Sequence, residues 1–136
     1  MATMQVELVS PEKVVFSGEA TQVITRTIGG GEIAFLPGHA PFVGALTENH
    51  TRITLADGAQ LDVAVHGGFV QVGGNKVSIL SDIAELGDEI DRPRATAALE
   101  RAEATLRHEH DAGAVAALAR AHARLNASGG MTSVSH

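Results

Sequence analysis

Histidine spacing sets the first limit on what this chain can do. His39, His50 and His66 lie in its first half, and none forms the His-x-His pair that a metal-binding strand of cupin type presents. His108 and His110 have that spacing, but they fall at the expected end of a helix, where residues two apart point away from each other. No Gly-x-Ser-x-Gly elbow occurs, and no glycine-rich loop ends in Gly-Lys-Ser or Gly-Lys-Thr. The adjacent carboxylates Asp88 and Glu89 lie on a charged, solvated stretch, a poor place for acid–base work. The sequence therefore offers no catalytic residue and no metal site.

The arginines say more. Asp91, Arg94 and Arg101 are separated by three and seven residues, which puts them on one helix face. Arg120 and Arg124 are four apart on a second helix. If a hairpin brings the two faces together, four guanidinium groups converge. Their planar forks suit an anionic ligand such as a nucleotide phosphate. Surface salt bridges with Glu100, Glu103 and Glu109, each worth well under about 1 kcal/mol, account for the same arginines. Spacing alone favours the salt bridges.

The stretch Gly29-Gly30-Gly31-Glu32-Ile33-Ala34-Phe35-Leu36-Pro37-Gly38-His39-Ala40-Pro41 carries the most backbone instruction. Its glycines permit positive φ, Pro37-Gly38 specifies a turn, and Pro41 keeps Ala40 extended. A strand, a stiff loop and a new strand at Phe42 are expected. Such a loop presents Glu32 and His39 on a rigid frame, as contact sites require, although a plain strand connection fits the spacing equally.

These groups need elements to hold them. The chain has 136 residues, 44% of them hydrophobic, which suits one domain or a small domain with an appendage. With no cysteine there is neither a disulfide framework nor a thiolate metal site. A net charge of −6 and no Trp or Tyr exclude nucleic-acid binding as a leading function. No apolar run approaches the roughly 20 residues of a membrane span. Glu7 interrupts the N-terminus too early for a signal peptide, so membrane association is expected only through a partner.

Residues 4–10 alternate as a half-buried strand. Further strands are expected at 14–16, 21–28, 33–36, 42–46, 51–55, 61–65, 69–72 and 77–80. Asp57-Gly58 and Gly73-Gly74-Asn75 close hairpins, and Gly67-Gly68 allows a tight bend. The pattern reads as an all-β sandwich over residues 1–86. Composition then changes to Ala, Glu, Arg and Leu. Asp91 is the expected N-cap of a helix to about His110, with Pro93 in its first turn. A second helix runs from about Ala114 to Asn126, with Val115, Leu118, His122 and Leu125 on its stripe. Together they make an antiparallel hairpin over 87–128, followed by a tail over 129–136 expected to be disordered. Alanine-lined helix faces bury little area, so the hairpin is expected to be held weakly.

At this point the residues resemble a family. Gly31-Glu32-Ile33-x-x-Leu36-Pro37-Gly38-His39-Ala40-Pro41, Gly67-Gly68-Phe69, Val77-x-Ile79-Leu80 and Ile90-Asp91-x-x-Arg94-Ala95 together resemble the epsilon subunit of the F-type ATP synthase. The resemblance covers residues 2–128. It implies a sandwich of about ten strands with a C-terminal helical hairpin. It implies a non-catalytic rotor subunit in the central stalk, bound to the gamma subunit and the c ring, on the cytoplasmic face of the plasma membrane. Glu32 and His39 would face the c ring. The hairpin would be permissive when folded on the sandwich. When extended toward the alpha and beta subunits it would restrain ATP hydrolysis. No cofactor is required, but some members bind ATP as a regulatory ligand, and the matching positions are Glu85, Ile90, Asp91, Arg94, Ala95, Arg101, Arg120 and Arg124. A short second helix and a Gly-rich tail argue against strong inhibition. The alternative, from another class, is a free-standing nucleotide-binding sandwich with a helical gate.

Overall fold

The computed structural model describes residues 2–129. Seven strands come first: β1 (Met4–Val9), β2 (Val14–Thr27), β3 (Gly31–Phe35), β4 (Phe42–Leu55), β5 (Gln60–Gly73), β6 (Lys76–Leu80) and β7 (Ala84–Leu86). A 3-10 turn at Gly87–Glu89 leads into α1 (Arg92–His108) and α2 (Ala112–Ala127).

The strands form one sheet, ordered β1-β6-β5-β4-β2-β3, and a β1–β2 pairing folds it back on itself. β2, β4 and β5 are each 14 residues long. Each passes from one layer of the sandwich to the other, and the expectation had divided each of them in two. Where β2 bends, its register with β4 slips between Ile24 and Thr27. Where β5 bends, Gly67 and Gly68 both take positive φ. The first half of β5 pairs with β7 and the second half with β6. Counted by layer, these strands give the ten segments expected. One layer holds β1, β6 and the outer halves of β2, β4 and β5; the other holds β3, β7 and the remaining halves.

Alternation along each strand fills the space between the layers. Val6, Leu8, Val23, Phe35, Ile53, Val63, Val65, Val70, Val77 and Ile79 are fully buried there. No helical residue joins this cluster. β-branched side chains suit such a pleated, two-sided interior, which is why these short alternating runs become strands.

The helices are bounded by their caps. Asp91 accepts a bond from the Arg94 N–H at 3.1 Å, and Asp111 accepts one from the Ala114 N–H at 3.0 Å. The second cap moves the start of α2 to Ala112 and ends α1 at His108, tighter than the expected turn. α1 packs chiefly on α2, and α2 lies across β4 and β5. The expected stripe on α2 is corrected in part: Leu125 is buried as expected and Leu118 and His122 are half-buried, but Val115 is exposed, and Ala114, Ala121, Ala123 and Ala127 are the other buried residues. The stripe is incomplete because α2 is covered on two sides, by α1 and by the sandwich, and alanine lines both. The expected disordered tail lies, beyond Gly129, outside the described residues.

Candidate functional site

The contact between α2 and the sandwich joins a small apolar patch to a row of polar groups. Ala123 and Ala127 rest on Ala64 of β5, with Ile90 packed beside them. Next to this alanine patch runs a chain of ionisable groups. His66 Nδ1 stands 2.6 Å from Glu48 Oε2, and Nε2 stands 2.8 Å from Glu85 Oε1. Arg124 Nε donates to that same Glu85 oxygen at 2.7 Å. Glu48 lies on β4, His66 on β5, Glu85 on β7 and Arg124 on α2, so three strands and one helix meet here. Among the described residues this is the single ion pair between hairpin and sandwich.

Burial raises the Glu85 carboxyl, but the hydrogen bonds and charges of Arg124 and His66 outweigh it and hold the group below its ordinary value of 4.5. A carboxyl lowered on folding contributes stability that is present above the ordinary carboxyl range. That contribution is lost as pH falls through the folded value. Acid therefore loosens the hairpin at Glu85.

The expected nucleotide residues are partly assembled. Glu85 and Arg124 are in contact, Asp91 caps α1, Ile90 packs on the alanine patch, and Ala95 is buried. Arg94 and Arg101 are exposed and Arg120 is half-buried, and none of the three is in an ion pair among the described residues. The salt bridges with Glu100, Glu103 and Glu109 that spacing favoured do not form. Arg94 and Arg101 each precede a buried alanine, so they flank the side of α1 that packs on α2.

The stiff loop forms as a turn: Gly38 has φ of 82°, and the His39 N–H bonds the Leu36 carbonyl at 3.0 Å. The His39 ring stands edge-on to Phe35, centroids 4.9 Å apart, with Nδ1 2.7 Å from the Ala40 carbonyl oxygen. Glu32 lies on β3 rather than in the loop, exposed and opposite Arg26. With Arg26, His50, Arg52 and His122 it lines a cleft of about 660 Å³ between β4 and α2.

The other outer face of the sandwich is different. Ala45, Phe69 and Leu80 are aligned across β4, β5 and β6, with Val9 beyond and Ile28 bonded to Ala45. Phe69 is 58% and Ile28 67% exposed, and Val14, Val43, Leu80 and Ile83 are exposed as well. Among the described residues no helix covers this face.

A family model described as the ATP synthase delta/epsilon chain beta-sandwich domain matches residues 3–87. A second, the long alpha-helix domain of the same chain, matches residues 88–129. The chain belongs to the ATP synthase delta/epsilon family. Within it, the ATP synthase epsilon chain of Streptomyces griseus is 45% identical over 126 residues, 93% of this chain and 95% of that one. That of Streptomyces avermitilis is 48% identical over 103 residues, 76% of this chain and 82% of that one. A chain in the cryo-EM structure of the Euglena gracilis mitochondrial ATP synthase, OSCP/F1/c-ring, has the same fold, with a TM-score of 0.74 at 22% identity over 100% of this chain and 83% of that one. As an epsilon subunit the chain is a non-catalytic stalk component of a membrane-associated complex. Among the described residues no helix is long and apolar enough to cross a membrane.

Sequence reasoning missed His66 and Glu48 at this subunit's hairpin contact. The alternation of β5 could have shown that His66 faces outward with Ala64. What it could not show is that β4 and β7 carry carboxylates to both ring nitrogens.

Proposed function

We propose that this epsilon subunit sits in the central stalk between the gamma subunit and the c ring, on the cytoplasmic face of the plasma membrane, and couples c-ring rotation to ATP synthesis. The observation that carries the reading is the uncovered apolar row Ile28, Phe69, Leu80 and Val14 on the layer away from the hairpin. A face of this kind on a small subunit suits a protein partner, and gamma is the partner proposed for it. Glu32 and the His39 turn are proposed as the contacts to the c ring, on an edge strand and a stiff loop.

Co-purification with gamma tests the placement. Phe69→Asp with Leu80→Asp places two charges on the face without touching the core, because both side chains point to solvent. Burial of an aromatic anchor is worth about 2 kcal/mol or more in an interface. The double variant is expected to bind gamma at least about thirtyfold more weakly and to keep its unfolding midpoint. Unchanged gamma binding would refute the face assigned here.

The hairpin is docked in this structure, the arrangement we take as permissive for rotation; extension toward the alpha and beta subunits would restrain hydrolysis. ATP is proposed as a regulatory ligand of the docked hairpin, held by Glu85, Ile90, Asp91, Arg94, Ala95, Arg101, Arg120 and Arg124. The exposed guanidinium groups of Arg94 and Arg101 support it. Titration calorimetry is expected to show ATP binding that Arg94→Ala weakens about tenfold, the worth of one charge-assisted bond. Absence of any ATP heat with the unsubstituted chain would remove the nucleotide and leave the stalk placement standing.

A further inference from the structure

We propose that Asn75 is a positioning residue for the c-ring contact: its side-chain amide fixes the turn from Leu36 to His39 in one form, and with it the surface around His39. The contact itself rests on the placement proposed above; the fixing of the turn does not.

Asn75 is the second residue of the two-residue turn between β5 and β6, whose strands close at the Gly73–Lys76 pair. Gly74 has φ of 58° and Asn75 of 59°, so both central residues are left-handed, as a tight hairpin of this kind requires. Among the described residues Asn75 is the one non-glycine with positive φ. Asparagine tolerates that region, but glycine occupies it at no steric cost. The backbone alone would be better served by a second glycine, so the use of the asparagine lies in its side chain.

That side chain bridges two segments distant in sequence. Its Oδ1 accepts from the Gly38 N–H at 3.0 Å, and its Nδ2 donates to the Thr3 carbonyl at 2.9 Å. One partner can only donate and the other can only accept, so the amide has a single productive orientation. The Asn75 carbonyl accepts from the Gln5 N–H at 3.1 Å, and the Thr3 hydroxyl donates to Glu19 of β2 at 2.7 Å. The entry to β1 is thereby a fixed anchor for the amide.

Turn geometry shows what the bond to Gly38 selects. The His39 N–H closes the turn on the Leu36 carbonyl, with Pro37 second and Gly38 third at φ of 82°, which is the type II form. Proline in second place also suits type I, and the two forms differ by a flip of the peptide between the central residues. The closing bond is the same in both, so it does not choose between them. The flip would turn the Gly38 N–H away from Asn75 and bring the Pro37 carbonyl to that side. Asn75 therefore decides which backbone groups a partner meets at this corner, between Leu36, which is 52% exposed, and His39.

Asn75→Gly removes the amide and suits the backbone, so the sandwich is expected to keep its urea midpoint. In the full chain the Gly38 amide is expected to exchange about fivefold faster, the loss of one hydrogen bond. Asn75→Asp keeps an oxygen for Gly38 and is expected to retain that protection. Affinity of Asn75→Gly for a complex of gamma with the c ring is expected to fall about fivefold, with affinity for gamma alone unchanged. Unchanged Gly38 exchange in Asn75→Gly, equal loss of protection in Asn75→Asp, or a fall in both affinities would overturn the proposal. So would unchanged c-ring affinity in Asn75→Gly where His39→Ala lowers it. If neither variant alters c-ring affinity, the placement against the c ring fails and takes the role of Asn75 with it.

Discussion

Gly87→Ala is expected to release the hairpin and leave the sandwich folded. A Cβ at Gly87 would overlap the carbonyl oxygen of Ala127, at the C-terminal end of α2, and would sit 3.2 Å from that of Asp62. The glycine does not have positive φ, so alanine suits its backbone and the whole effect falls on the contact. Overpacking of this kind costs about 1–3 kcal/mol. Against it stands a docking contact built from Ala64, Ala123, Ala127 and Ile90 plus the Arg124–Glu85 pair. Alanine methyls return only about 0.8 kcal/mol each. The two quantities are comparable, so one methyl group is enough to shift the equilibrium toward undocked. Amide protection across 112–127 should drop by about tenfold or more while Val6, Val70 and Val77 keep theirs. Equal loss in both halves would mean that hairpin and sandwich fold as one unit.

That prediction rests on a separation the sequence only half disclosed. The alternation at 4–10 and 61–65 and the turn at Asp57-Gly58 were readable because each strand buries one face in a single interior. The division of β2, β4 and β5 was misread for a physical reason. A glycine pair or a register slip that bends a strand looks, in sequence, like one that ends it. Asp91 was legible as a cap because its side chain acts three residues away. The faces of α2 were not, since an alanine-rich helix leaves no stripe to show which side meets α1 and which meets the sandwich.

The site was legible by likeness to a family more than by physics. Glu85 and Arg124 lie 39 positions apart, and nothing local announces that they share a hydrogen bond. Glu85 was singled out only by the family likeness, because it belongs to β7, a three-residue strand too short to show any period. His66 read as a histidine without a metal partner, which was a question about the wrong ligand. Its partners are two carboxylates brought in by neighbouring strands.

The bend at Gly67-Gly68 supplies the second large effect. Gly68→Ala is expected to destabilise the sandwich itself. Gly68 has φ of 113°, a conformation L residues rarely adopt, and its Cβ would overlap the Leu80 carbonyl oxygen and lie 2.8 Å from the Ser81 Cα. Both obstacles are backbone, so no side-chain rotation relieves them. Backbone strain of about 1–3 kcal/mol adds to overpacking of similar size, a large part of the roughly 5–15 kcal/mol that holds a domain of this kind together. Urea unfolding followed on a body residue should show a sharply lower midpoint with an unchanged slope. The same bend decides where β5 exchanges β7 for β6, and it sets His66 one residue before the change. A chain that cannot make this bend therefore cannot place His66 between Glu48 and Glu85. In Gly68→Ala any remaining folded chain should dock its hairpin more weakly as well as lose stability, because the Glu85 oxygen that holds Arg124 is no longer braced by His66, whereas Gly87→Ala loses docking and keeps the body. The contrast separates a glycine that shapes the body from one that only admits the helix.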